Sequence, residues 1–327
     1  MSDELKLPFW LRILKCARDN IGPALSTIRF LLLIMLPVSF VILILKCTGL
    51  LFYVSKYMNP LMQFLGLPGE ASLAFLSSIL MNLYSAIAVI KTIALTGKQL
   101  IILSTMCLIA HNFFVECLVM KKTGSHLRKV VWLRIFYSIF AGWILNFIVP
   151  EGTGSFTAEP IIAETLIVGF NGALLLAGLS LWFIESIFLV LQIFIIVFTV
   201  MFFQRVLVEF GLTKILGKIA RPTMGFFGLS PNTAYVWIVA YTIGLAYGAG
   251  VIIEEVKDGI LSRTDANLFN HHVSISHSQV EDTLLFVTLG VPFVWAALPR
   301  FFLAIVVVWL ERARRAIFRS SFRVKVV

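Results

Sequence analysis

The stretch GLLFYVSKYMNPLMQFLGLPG at residues 49–69 returns, altered but in register, as GLTKILGKIARPTMGFFGLSP at residues 211–231. Sliding the chain against itself by 162 positions sets Gly49-Leu50 on Gly211-Leu212, Lys56 on Lys218, Pro60 on Pro222, Met62 on Met224, Phe64 on Phe226 and Gly66-Leu67 on Gly228-Leu229. These are eight identities in 21 positions without a gap. Chance matches between apolar segments would be Leu, Ile and Val, whereas these include Gly and Pro, which set backbone direction. After a four-residue length difference, His111 falls on His277, Glu116 on Asp282, Arg134 on Arg300 and Trp143 on Trp309. The chain therefore reads as a duplication. Residues 1–150 form the first unit, with a surface helix at 8–20, and 151–160 an external connection. Residues 161–311 form the second unit and 312–327 a basic tail.

Composition places both units in a bilayer. With 59% hydrophobic residues, 13% charged and a mean hydropathy of +0.96, the 327-residue chain carries more apolar surface than a water-soluble core can hide. Its apolar runs approach the roughly 20 residues that a helix needs to cross about 30 Å of hydrocarbon. They are Phe30–Leu45, Leu73–Ile90, Leu100–Met120, Val130–Val149, Ile187–Phe203, Val236–Ile253 and the run ending at Leu310. None alternates as a barrel strand would. Met1–Asn20 lacks an early apolar run and a small-residue cleavage site, so no cleavable signal peptide is expected there. Phe9, Trp10, Ile13, Leu14 and Ala17 recur at helical spacing among Lys6, Arg12, Lys15 and Arg18, which predicts an amphipathic helix on the membrane surface. Cys16, Cys47, Cys107 and Cys117 show no paired spacing and read as packing residues.

A net charge of +10 raises nucleic acid as a partner, but the basic residues fall between apolar runs and at the two ends, as positive-inside placement requires. No nucleic-acid partner is expected. Lys121, Lys122, Arg128 and Lys129 form one cluster, Arg205, Lys214, Lys218 and Arg221 another, and Arg312 to Lys325 a third, whereas Glu151–Glu159 carries acids and no base. If every long run crossed once, the Lys121 cluster and the basic amino terminus would lie on opposite sides. The conflict disappears if 49–90 and 211–252 are each a hairpin that enters and leaves on one side. Both termini are then cytoplasmic in a bacterial inner membrane, and the two units are inverted. This reading requires Ile161–Trp182, which contains Glu164 and Asn171, to lie in the interface. Leu73–Ile90 is also long enough to span outright, which is the competing topology. The fold class expected is all-α, a polytopic membrane protein with two internal repeats, inverted, each with a broken-helix or re-entrant element.

Inverted repeats with broken helices recur in secondary transporters, because a helix starting in mid-membrane exposes free N–H groups and partial positive charge to a solute. The expected bends are Gly66-Leu67-Pro68-Gly69-Glu70 and Gly228-Leu229-Ser230-Pro231-Asn232, where a first-turn proline sacrifices no hydrogen bond. Ordinary surface turns are the alternative.

Pro60 with Gly66-Leu67-Pro68-Gly69-Glu70, then Asn82-Leu83-Tyr84 with Ala86-Ile87-Ala88, then His111 and Glu116, resembles the Gate or nucleoside-recognition family. The resemblance is close over residues 21–149 and weaker over 184–309. That family is found in spore-maturation proteins and in the membrane part of ferrous iron transporters, and it looks related to gate elements of concentrative nucleoside transporters. The resemblance implies a permease or gate whose substrate differs between branches. The chain has no GxxxxGK[ST] phosphate loop, so it is not an iron transporter carrying its own GTPase.

Intramembrane ionisable residues mark function by default. His111, Asn112 and Glu116 sit in one apolar run, and His277, Glu281 and Asp282 repeat them, with Glu281 one helical turn after His277. They predict a shared polar cavity that binds solute and relays protons, flanked by the bends. The substrate-binding set is then Gly66, Pro68, Gly69, Glu70, Asn82, Tyr84, His111, Asn112, Glu116, Ser230, Asn232, His277, Glu281 and Asp282. The plainer alternative is a pair of interhelical clamps with Arg134 and Arg300 as counterions. Histidine with carboxylate can also hold zinc or iron, but without HExxH or clustered CxxC the sequence assigns no metal and no cofactor. Gly244, Gly248 and Gly250 read as close packing.

No nucleophile elbow, nucleotide loop or metalloprotease motif is present, which argues against an enzyme. The function expected is a transporter for a small polar solute, nucleoside-like or ionic. The alternatives are a non-transporting scaffold or gate subunit, as a homodimer or with a partner membrane protein, and divalent metal transport.

Overall fold

The computed structural model describes residues 8–154 and 172–324, and among these every regular element is helical. Helix α1 (Phe9–Cys47) runs 39 residues through Pro23 and Pro37. It lies antiparallel to α8 (Gly172–Glu209): Arg12 Nε is 2.9 Å from Glu209 Oε1, Asn20 donates to the Phe198 carbonyl, and Trp182 donates to Ser39. The expected surface helix at 8–20 is therefore the first third of one long helix. Packing against α8 along the whole length offsets the backbone hydrogen bonds that the prolines remove. The expected interfacial segment Ile161–Trp182 is described only in part. Residues 172–182 continue without interruption into α8, while 161–171, with Glu164 and Asn171, and most of the external connection lie outside the described residues.

Among the described residues, four helices are long and apolar enough to cross a membrane: α1, α8, α7 (Leu127–Ile148) and α14 (Phe293–Val324). A fifth candidate is α5 (Gly97–Ile109) followed by α6 (Phe113–Lys122), bent by 41° at the break between them. Thr96 and Gln99 close a reciprocal cap at the start of α5, which fixes where that helix begins.

The shorter helices carry the next correction. In the first half they are α2 (Leu50–Phe64), α3 (Ala71–Leu80) and α4 (Leu83–Ile90); in the second, α9 (Leu212–Ala220), α10 (Ala234–Thr242), α11 (Leu245–Lys257), α12 (Arg263–Val273) and α13 (Glu281–Val287). The run Leu73–Ile90 does not span as one helix, because Asn82 turns extended and its side chain caps α4 through the Ser85 N–H. Leu100–Met120 breaks at Ala110–Asn112, and Val236–Ile253 breaks at Ile243–Gly244. His277 lies in the break before α13, so His277 and Glu281 are not one turn apart on a helix.

Local features recur in the two halves. Gly49 (φ 75) and Gly211 (φ 62), Gly66 (φ 74) and Gly228 (φ 70), and Gly124 (φ 102) and Gly290 (φ 94) are left-handed pairs, as are Asn112 (φ 49) and Ser278 (φ 45). The helices α7 and α14 run in opposite senses. Lys129 Nζ on α7 is 2.9 Å from Glu311 on α14, and moving forward to Arg134 or backward to Arg300 leads to the same central cluster.

The two expected bends sit far apart. Gly66 rests on α7, where a Cβ would strike the Asn146 side chain, and its carbonyl accepts from Gln99. Gly228 rests on α14, with its carbonyl accepting from Arg312 at 3.0 Å. Asn146 lies near one end of α7 and the Lys129–Glu311 pair, beside Arg312, at the other. The bends therefore occupy opposite ends of the helix bundle. Between them, α4 is buried at all eight positions and every residue from Leu100 to His111 is buried, as expected of helices that are apolar on all sides.

Candidate functional site

Four helix breaks meet at one cavity. Met81–Asn82, His111–Asn112, Gly244 and Ser278 all line a space of about 500 Å³, together with Tyr84, Glu116, Glu281 and Asp282. Two of the breaks are fastened alike: the Asn112 N–H donates to the Ser78 carbonyl at 2.9 Å and the Ser278 N–H to the Ala240 carbonyl at 2.8 Å. The rim is apolar, with Phe30, Leu80, Phe114 and Val115 exposed there.

The innermost wall is a charged cluster. Glu116 Oε1 lies 3.0 Å from His111 Nε2 and 3.2 Å from His277 Nε2, and Glu116 Oε2 lies 2.7 Å from Arg134 Nη2. The two imidazole Nε2 atoms are 3.3 Å apart. Asp282 Oδ2 is 3.6 Å from His111 Nε2 and has no hydrogen-bond partner, although it is buried. Each ring is held from behind, His111 Nδ1 at 3.1 Å from the Cys107 carbonyl and His277 Nδ1 at 2.6 Å from the Val273 carbonyl.

The arginines do different work. Arg134 pairs with Glu116 and also donates to the Ile109 carbonyl, which ties the end of α5 to α7. Arg300 gives its hydrogens to neutral acceptors, the Ala296 and His277 carbonyls, Gln279 and Thr283. Both guanidinium groups are fully buried. The alternative of paired clamps with arginine counterions thus describes Arg134 and Glu116 but not Arg300.

Glu281 lines the same cavity with partners of its own. Its carboxylate accepts from Tyr84 at 3.4 Å and from Gln204 of α8 at 3.2 Å. Of the residues singled out in the sequence, Asn82, Tyr84, His111, Asn112, Glu116, Glu281 and Asp282 share the cavity, with His277 directly behind it. Gly66, Pro68, Gly69, Glu70, Ser230 and Asn232 do not line it. Gln204 escapes a sequence reading, since its only signal is an amide at the end of the apolar run Ile187–Phe203.

Two comparisons bear on this arrangement. Residues 28–125 match the family model for Gate, nucleoside recognition. Over 270 residues the chain is 30% identical to the uncharacterized membrane protein YvoD of Bacillus subtilis strain 168, covering 81% of this chain and 83% of that one. The chain belongs to the Gate family of membrane proteins. In this Gate protein the matched segment begins within α1 and ends just beyond α6, so it supplies Asn82, Tyr84, His111, Asn112 and Glu116 but neither Glu281 nor Asp282. No solved structure matches the chain.

Proposed function

We propose that this Gate protein is a transporter for a small polar solute and that the cavity between the four helix breaks is its binding site. The observation that carries this reading is the coincidence, on one space of about 500 Å³, of four interrupted helices with His111, Glu116, Glu281 and Asp282. Small-molecule sites span about 300–1,000 Å³, and interrupted helices supply the unpaired backbone groups that a polar solute needs inside a bilayer. Solutes of nucleoside size and polarity, the class in the family's description, fit that volume and donor set.

Opposed α7 and α14, and bends at opposite ends of the bundle, support two inverted units rocking about this site. The end bearing Lys129, Arg312 and Arg314 is taken as cytoplasmic under the positive-inside rule, in a bacterial plasma membrane. The test is counterflow in proteoliposomes with a panel of labelled nucleosides and amino acids. Saturable flux that Asp282→Asn abolishes supports the reading. Correctly folded protein that moves none of them, but co-purifies with a second membrane protein, supports the gate-subunit alternative.

A further inference from the structure

We infer that His111, His277, Glu116 and Asp282 form a four-ligand site for one divalent transition-metal ion, seated at the inner wall of the cavity. This goes beyond the transport reading and does not depend on it, since an ion can reside in a protein that moves nothing.

The argument begins with the rings. A carbonyl can only accept, so the contacts of His111 Nδ1 with Cys107 and of His277 Nδ1 with Val273 place a hydrogen on each Nδ1. A neutral ring then carries its lone pair on Nε2. Those two lone pairs face each other across 3.3 Å, and Glu116 Oε1, another acceptor, lies 3.0 and 3.2 Å from them. With both rings neutral, three acceptors converge with no donor among them, and Asp282 Oδ2 is a fourth, 3.6 Å from His111 Nε2. A single proton on one ring can bridge two of these atoms and leaves the others opposed. One cation in the middle satisfies all four.

The geometry suits such an ion. Bonds of about 2.0–2.1 Å to imidazole nitrogen and carboxylate oxygen put tetrahedral ligands roughly 3.3 Å from one another. Four of the six edges of such a tetrahedron, at 3.0 to 3.6 Å, bracket that value, and the His111, His277 and Asp282 ligand atoms all lie within 4.8 Å of one another. The supporting contacts match as well. Each ring is oriented through its other nitrogen, and the second oxygen of Glu116 is held by Arg134. Two imidazoles with two carboxylates select zinc, cobalt, iron or manganese over magnesium or copper(I). Because His111, Glu116 and Asp282 line the cavity, the ion has a route in.

Full-length protein in detergent, stripped with chelator and titrated with Co²⁺, should bind one ion per chain. It should develop the intense visible bands of four-coordinate cobalt, which Zn²⁺ should bleach. Asp282→Asn and His277→Gln should weaken binding by more than the roughly tenfold to hundredfold that loss of an outer partner costs. His271→Gln removes a buried imidazole outside the cluster and should leave the titration unchanged. Asp282→Asn keeps the shape of the side chain, so the experiment stands even if His277→Gln fails to fold. Wild-type protein that binds no Co²⁺, or an Asp282→Asn variant that binds as well as wild type, overturns the site and leaves a proton as the occupant. Flux without bound metal overturns this inference and leaves the transport reading intact; bound metal without flux does the reverse.

Discussion

Asn112 and Ser278, 166 positions apart, are the two described residues other than glycine held at positive φ, and each opens a helix break onto the same cavity. An L-residue in the left-handed region is strained by roughly 1–2 kcal/mol, less for asparagine, and glycine is free of that cost. Asn112→Gly should therefore melt at or above the wild-type temperature in detergent. Asn112→Val should be destabilised by about 1 kcal/mol or more. The opposite order would mean that the side chain, and not the backbone turn, maintains the break.

Arg134 is fully buried against Glu116 at 2.7 Å, and removing one partner of a buried pair strands the other. Arg134→Met should cost about 3–5 kcal/mol, measured as loss of resistance to thermal or denaturant unfolding. The Arg134→Met, Glu116→Leu double variant should recover part of that loss, because the stranded carboxylate is gone. Single and double losses that simply add would show that the two side chains are not coupled.

Sidedness follows from the Lys129–Glu311 contact, which sets the start of α7 beside the carboxy-terminal half of α14. In a background free of native cysteines, Lys122→Cys and Arg315→Cys should react with an impermeant thiol reagent from the same face of sealed vesicles. Gly152→Cys should react from the other. Labelling of Lys122→Cys and Arg315→Cys from opposite faces would eliminate the inverted arrangement.

Glu281 accepts from both Tyr84 of the first half and Gln204 of α8. Hydrogen bonds to a charged group contribute about 1.5–3 kcal/mol, so Glu281→Gln should lower flux per folded molecule by at least roughly tenfold. Glu70→Gln and Ser230→Ala, at the bends, should change it by less than about twofold, because neither residue lines the cavity. A larger loss at the bends than at Glu281 would return the binding site to them.

The bends were legible because they are written in Gly and Pro, whose backbone restrictions can be read directly from a sequence. The sequence also placed His111, Glu116 and Asp282 together through their matched offsets. The breaks themselves were hidden. Leu73–Ile90 and Leu100–Met120 contain no proline or glycine, and a run that is apolar on every side has no face to lose when it is cut. Asn82 and Asn112 start the helices that follow the breaks, by a side-chain cap and a left-handed turn, each of which needs a single polar residue in the sequence. The spacing of Glu281 was misread for a similar reason. Its i, i+4 spacing from His277 assumed a helix that only begins at Glu281.

Gln192, midway along α8, accepts from Lys91 at the end of α4 and donates to Thr288 at the end of α13. One amide thereby spends its two unlike ends on the two halves of the molecule. The segment that the family model recognises, 28–125, thus leans on α8 through Lys91, on α7 through Arg134 and on His277 through His111. The recognised segment has no edge of its own in the packing, because its polar contacts close on residues that lie outside it.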